Sequence, residues 1–110
     1  MSVTLNVYYH GKNGSAVRFA KEMIALGVVD NIRKESGNLR YDYFLPIDDN
    51  DTVLLIDSWQ DQNALDNHHK SSLMAQISAL REKYDLHMKV ERYVLDETGI
   101  PDSDKAFIRK

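Results

Sequence analysis

Residues 52–59, TVLLIDSW, place apolar side chains on both faces of one predicted strand. Side chains alternate along a strand, so Val53 and Leu55 point to one face while Leu54 and Ile56 point to the other. A strand with one solvated face would instead alternate apolar and polar residues. The sheet that contains this segment therefore needs a cover on each of its two faces.

The rest of the chain supplies the other strands and one of the covers. Three further segments are rich in the β-branched and aromatic residues typical of strands: 3–9, 38–45 and 86–95. Helical spacing of apolar residues predicts helices over 15–37, 62–71 and 72–84. Ser15 is the predicted N-cap of the first helical segment, and Gly27 is predicted to bend or break it. The order β-α-β-β-α-β indicates an α+β, ferredoxin-like domain with its helices on one face of the sheet.

A second copy of the chain is the predicted cover for the other face. A sheet that is apolar on both sides and has helices on only one exposes a large apolar surface, which an isologous dimer would bury. The 110 residues suit one such domain, over 1–95. Residues 96–110, DETGIPDSDKAFIRK, form a charged tail that we expect to be a loop or arm.

Composition excludes several classes of function. The net charge is −3 and no basic run exceeds Arg33-Lys34, so we expect no nucleic acid partner. The absence of cysteine excludes disulfides, thiol nucleophiles, iron–sulfur clusters and thiolate zinc sites. The N-terminus lacks the pattern of a signal peptide and no apolar run approaches 18 residues. We therefore predict a soluble cytoplasmic protein without a membrane partner.

Residues 58–74, SWQDQNALDNHHKSSLM, hold most of the chemically distinctive side chains. Neighbours on a helix diverge by about 100°, so His68 and His69 cannot both face one site. Asp66 and His69 have the spacing of two metal ligands, but no third ligand has a suitable position. We predict no metal site, and His68 is either a general acid or base or a histidine satisfied inside the protein.

The segments KESGNLRYDYF and LLIDSWQDQNALDNHHKSSLM resemble the antibiotic biosynthesis monooxygenase family of dimeric α+β barrels. The resemblance covers about residues 3–95. The residues that carry it are a glycine, an aromatic-rich strand, a strand that ends in an aromatic, an acidic helix start and a histidine: Gly37, Tyr41, Tyr43, Trp59, Asp61-Gln62 and His68. It implies a pocket between the helices and the sheet of each protomer, with His68 inside it and His69 at the surface.

The function that the resemblance implies is a cofactor-independent monooxygenase acting on a small aromatic quinol-like substrate. His68 would be the base and Trp59 would form a wall of the pocket. Tyr41 or Tyr43 would donate a hydrogen bond to the anion that develops on the substrate. No cofactor is expected: the segment KSSLMAQIS contains no histidine at the place where the haem-degrading branch of the family has its axial ligand.

Two further candidates follow from strand alternation. Asp57 shares the face of Trp59, which makes it a candidate substrate-binding residue. Asn6 lies on the face of Thr4 and Tyr8 in an otherwise apolar strand, where a polar side chain needs hydrogen-bond partners. We predict that Asn6 is a second donor to a ligand oxygen.

Two alternatives to the oxygenase remain open. The same base could move a proton beside a carbonyl in a small phosphorylated compound, as in an isomerase branch of the family, with Arg40 or Lys70 holding the phosphate. The chain could also be a non-catalytic dimer that binds a small aromatic molecule.

Overall fold

The computed structural model describes residues 1–110. The strands are β1 (Val3–His10), β2 (Asn38–Phe44), β3 (Thr52–Trp59) and β4 (His87–Val94). The helices are α1 (Ser15–Ala25), α2 (Val28–Arg33), α3 (Gln62–His69), α4 (Leu73–Lys83) and α5 (Asp102–Lys105). The predicted order of strands and helices over residues 1–95 is confirmed, and α5 adds a single short helix within the tail.

The four strands form one antiparallel sheet in the order β2-β3-β1-β4. The register of the central pair places Val7 opposite Leu55 and Asn6 opposite Ile56. Because side chains that are opposite each other point to the same face, Val7 and Leu55 lie on the inner face, which the helices cover, while Asn6 and Ile56 lie on the outer face. This is the predicted α+β ferredoxin-like fold.

The core lies between the inner face of the sheet and helices α1 to α4. It contains 18 buried apolar residues, among them the large side chains of Tyr9, Phe19, Tyr41 and Trp59. A core of this kind supplies the main favourable term in folding, because burial removes apolar surface from water. It also fixes the strand ends and helix faces from which the candidate site is built.

Two glycines in the left-handed region lie where elements meet, one between two helices and one in the turn before β2. Gly27 (φ 77°) separates α1 from α2, as predicted. Gly37 (φ 83°) lies before β2, where a Cβ atom would come within 2.5 Å of the Ala64 Cβ. Only glycine therefore allows α3 to pack this closely against the turn. The prediction that Ser15 caps α1 is wrong: the cap position is Gly14, whose N–H donates to Asp51 Oδ1 (3.2 Å).

The edge strand β4 is exposed on both faces. Its apolar side chains Met88, Val90, Tyr93 and Val94 are between 42% and 54% exposed. The tail that follows is exposed throughout, including Phe107. None of the helices combines the length and the apolar character needed to cross a membrane.

Candidate active site

The C-terminal end of β3 brings a carboxylate and an indole together inside the protein. Asp57 and Trp59 are two residues apart, so both side chains point to the inner face. The Trp59 Nε1–H donates to Asp57 Oδ1 at 2.6 Å, and both residues are buried. A buried carboxylate is costly without such a donor, so this bond explains how Asp57 is tolerated here.

Helix α3 places His68 directly on this indole. The helix begins at a capped turn, in which Asp61 Oδ1 accepts from the Ala64 N–H (2.8 Å). Seven residues after the cap, the His68 ring stacks on Trp59 with 4.7 Å between centroids and 26° between planes. The Tyr41 ring meets His68 edge-on at 6.5 Å. His68 is 3% exposed, whereas His69 lies at the surface, as the divergence of neighbouring helical residues requires.

Glu35, in the turn between α2 and β2, holds the His68 ring in place. Its Oε1 lies 2.7 Å from His68 Nδ1. An ionised carboxylate can only accept, so Nδ1 carries the hydrogen and donates it. In the neutral ring this leaves the lone pair on Nε2, which is the arrangement of a base oriented by a carboxylate.

A second polar pair lies on the same inner face. Arg81 of α4 donates to the Tyr9 hydroxyl through both Nε (3.1 Å) and Nη2 (2.9 Å). The two guanidinium bonds occupy the lone pairs of the Tyr9 oxygen, so its own O–H remains to donate elsewhere. Glu35, Tyr9 and Arg81 were not identified from the sequence.

Burial and charge tune the titration of these groups. Burial raises the pKa of Asp57 from 3.8 to about 6, against the opposing effects of the Trp59 hydrogen bond and of the nearby His68 and Arg81 charges. Burial also raises the pKa of Tyr9, Tyr41 and Tyr43 above the ordinary value for tyrosine. The tyrosines are therefore hydrogen-bond donors at neutral pH, while Asp57 titrates close to it.

Asn6 does not join this cluster. It lies on the outer face of the sheet, where it lines a cavity of about 510 Å³ together with Ile56, Arg40 and Tyr93. The prediction that Asn6 donates to a ligand beside His68 is therefore wrong. Alternation within β1 put Asn6 on the face of Thr4, but the face that the helices cover is that of Val3, Val7 and Tyr9.

The two predicted tyrosines of β2, Tyr41 and Tyr43, lie on the inner face at different distances from His68. Tyr41 packs against His68, and Tyr43 lies two residues further along β2 on the same face, with 5.9 Å between the centroids of the two tyrosine rings.

The structure contains two cavities, and neither is lined by Asp57, Trp59 or His68. The predicted pocket beside His68 is thus closed by packing, and no group of three or more histidine or carboxylate side chains is placed to hold a metal ion.

Comparison with known proteins identifies the family. The model of the antibiotic biosynthesis monooxygenase family matches residues 2–80. No curated protein matches the chain significantly by sequence.

Three solved structures illustrate the likeness in fold. A protein of unknown function from Bacteroides thetaiotaomicron, described as a possible oxidoreductase, is 26% identical with a TM-score of 0.67, over 84% of this chain and 95% of that one. A putative antibiotic biosynthesis monooxygenase from Nitrosomonas europaea is 20% identical with a TM-score of 0.73, over 87% and 99%. SnoaB, a cofactor-independent oxygenase from Streptomyces nogalater, is 13% identical with a TM-score of 0.71, over 86% and 93%. Because the family model matches residues 2–80, which is more than half of the 110 residues, the chain belongs to the antibiotic biosynthesis monooxygenase family.

Proposed function

We propose that the protein is a monooxygenase that oxidises a small aromatic quinol-like substrate with dioxygen and uses no metal or organic cofactor. The observation that carries the proposal is the buried His68 imidazole, stacked on Trp59 and held at Nδ1 by Glu35. Membership of the family and the likeness in fold to a cofactor-independent oxygenase support the same reaction class.

The chemistry needs only a base, a fixed ring and a dry site. A quinol that has lost a proton is electron-rich enough to transfer an electron to dioxygen. A benzenediol and one dioxygen together contain every atom of a hydroxyquinone and one water, so the quinol itself supplies the electrons. The protein has to accept the first proton, hold the ring and exclude bulk water.

His68 is the proposed base. Its Nε2 would take the hydroxyl proton of the substrate, and the resulting imidazolium would lie between two carboxylates. Glu35 stabilises it through the 2.7 Å contact to Nδ1, and Asp57 through its nearby negative charge. Stabilising the charged form of the base in the transition state is how such a pair accelerates proton transfer.

Tyrosine hydroxyls are the proposed donors to the substrate anion. Tyr9 is expected to be the stronger hydrogen-bond donor, because the two hydrogen bonds from Arg81 to its oxygen polarise its O–H. Tyr41 lies against the His68 ring and is the second proposed donor. The Trp59 indole would be the wall on which the substrate ring stacks.

The isomerase alternative loses one of its two proposed phosphate ligands. Arg40 lies on the outer face, where its Nε donates to Asp42 Oδ2 (3.0 Å) and its guanidinium lies over the Phe44 ring. It therefore cannot hold a phosphate beside His68. Lys70 is exposed at the end of α3 and remains the only candidate.

Oxygen consumption is the direct test of the reaction class. Chelator-treated protein with no visible absorption band is expected to consume dioxygen with one or more members of a panel of naphthoquinols and catechols, well above the autoxidation rate. Isomerisation of phosphorylated diketones is assayed in parallel and is expected not to occur. Turnover of a diketone alone would establish the isomerase, and binding of quinols without turnover would leave a non-catalytic binding dimer.

We also propose that the protein is a homodimer whose interface is the outer face of the sheet. Leu54 and Ile56 point to that face, and β4 adds the half-exposed Tyr93. An isologous pair would bury these side chains and remove the apolar surface from water.

Charging the outer face is expected to abolish the soluble dimer. Ile56→Asp should give aggregated or unfolded protein, because an aspartate would be buried without a partner in the interface. Leu26→Asp, at an exposed position in the helical layer, is the control and should stay dimeric. Light scattering at micromolar concentration measures the mass, and a monomeric wild type would contradict the proposal.

A further inference from the structure

An asparagine followed by a glycine lies just before the first long helix. Asn13 and Gly14 belong to the segment GKNGS, which connects β1 to α1, and Asn13 is exposed. The chain has seven asparagines, and Asn13 is the one that a glycine follows. Glycine has no side chain to shield its backbone nitrogen, so this nitrogen can reach the side-chain amide of the preceding residue most easily. The pair is therefore the position at which the sequence is chemically most prone to deamidation.

Deamidation at this pair consumes water and releases ammonia. The Gly14 nitrogen gives up its proton and forms a bond to the Asn13 Cγ, the Cγ–N bond of the side-chain amide breaks, and ammonia leaves with an equivalent proton. Water then opens the resulting succinimide ring at one of its two carbonyls, which gives aspartate or isoaspartate at position 13. Either product replaces a neutral amide by a carboxylate. Isoaspartate also adds one carbon to the backbone directly before α1.

The backbone conformation of Asn13 opposes this ring closure. Asn13 has φ 57° and ψ 38°, a left-handed conformation that asparagine tolerates better than most residues. In this conformation the carbonyl oxygen of a residue lies close to its own Cβ. The Gly14 nitrogen, on the opposite side of the same carbonyl carbon, therefore points away from the Asn13 side chain. It can reach Cγ only if the peptide unit between the two residues turns about the Asn13 Cα–C bond.

Two hydrogen bonds hold this peptide unit at its opposite ends. The Gly14 N–H donates to Asp51 Oδ1 at 3.2 Å, and the Asn13 carbonyl oxygen accepts from Arg18 Nη1 at 2.6 Å. Asp51 is itself held, because its own N–H donates to Asp49 Oδ1 (2.9 Å). The Asp51 carboxylate also disfavours loss of the Gly14 proton, since that loss would place two negative charges side by side. The peptide unit cannot turn without breaking both bonds.

We propose that Asn13 is the deamidation site of this protein and that Asp51 and Arg18 form a clamp that protects it in the folded state. The folded chain keeps its asparagine while the clamp is closed, and the unfolded or locally opened chain loses it. The modification needs no enzyme and no reactant other than water. The proposal does not depend on the oxygenase function.

Peptide mass spectrometry after incubation at mildly alkaline pH tests the site. In urea, the wild type is expected to deamidate at Asn13 faster than at any other asparagine. In buffer, the folded wild type is expected to react at Asn13 about tenfold more slowly or less, because two hydrogen bonds must break first. Ion-exchange chromatography of the intact chain measures the added negative charge. Equal rates in the folded and unfolded chain, or faster loss at another asparagine in urea, would overturn the proposal.

Removing either half of the clamp tests the mechanism. Asp51→Ala and Arg18→Ala are each expected to speed deamidation of the folded protein by about three- to tenfold, the worth of one hydrogen bond. Asp48→Ala and Lys21→Ala are the matched controls, because they remove the same charges at exposed positions of the same loop and the same helix. Both controls should react at the wild-type rate. In urea, all of these proteins should react equally fast.

Melting temperatures separate loss of the clamp from loss of the fold. Arg18 is exposed, so Arg18→Ala is expected to melt with the wild type and still to deamidate faster. If Asp51→Ala does not fold, Asp51→Asn replaces it, because its neutral amide oxygen is a weaker acceptor for the Gly14 N–H. Wild-type rates in the folded clamp variants would contradict the proposal. A slower rate without the Asp51 carboxylate would contradict it too, because Asp51 would then be the base that activates the Gly14 nitrogen.

Discussion

Replacing His68 by alanine is expected to lower kcat/KM for the quinol substrate by about 10² to 10⁴, the usual contribution of a general base. The variant loses the imidazole that Glu35 orients and Trp59 supports, so no group remains to take the substrate proton at that position. Oxygen consumption, corrected for autoxidation, measures the loss with the best member of the quinol panel.

His69→Ala is the matched control for this prediction. His69 is the next residue of α3 and lies at the surface, with 5.7 Å between its ring centroid and that of His68. Its removal takes away a neighbouring imidazole but leaves the His68 ring stacked on Trp59 and held by Glu35. Its kcat/KM is expected to equal that of the wild type. Equal rates in the two variants would remove His68 from the mechanism. A lower melting temperature of His68→Ala, with no wild-type activity, would make His68 a structural residue.

The fold could be predicted because its signals are local. Alternation in residues 52–59, the break at Gly27 and the strand-like composition of residues 86–95 each act over a few positions. The order of the predicted strands and helices allows only a few topologies in which two helical regions pack on one antiparallel sheet. The strand bounds differ from the prediction by at most one residue at an end.

The site was harder to predict because its contacts are long-range. Glu35 and His68 are 33 residues apart, and Tyr9 and Arg81 are 72 residues apart. No spacing rule connects such pairs, since only the packed helices bring them together. Tyr9 did carry a usable signal: it has the parity of the apolar residues of β1, which marks the covered face, and the same parity excludes Asn6 from that face.

Asp57→Asn is expected to stabilise the protein at neutral pH while it weakens the reaction. Burial raises the pKa of Asp57 in the folded protein to about 6, above the ordinary value of 3.8. The folded state therefore binds a proton more tightly than the unfolded state, and the free energy of unfolding falls as the pH rises from about 4 to about 6. Above that window the cost is constant and amounts to about 3 kcal/mol. Asparagine keeps the shape and the acceptor for Trp59 but carries no charge, so this cost disappears.

Urea unfolding of the wild type and the variant between pH 4 and pH 8 measures the effect. The difference in unfolding free energy should be near zero at pH 4 and should grow to about 3 kcal/mol in favour of Asp57→Asn by pH 7. Asp66→Asn, at an exposed position on α3, should show no such growth. A variant that is less stable than the wild type at pH 7 would contradict the prediction, because it would mean that the Asp57 charge stabilises the fold.

The expected loss of kcat/KM in the more stable variant follows from the proposed mechanism, because the imidazolium of His68 would lose one of its two stabilising carboxylates. The buried Asp57 charge that destabilises the folded protein is therefore the charge that stabilises the transition state.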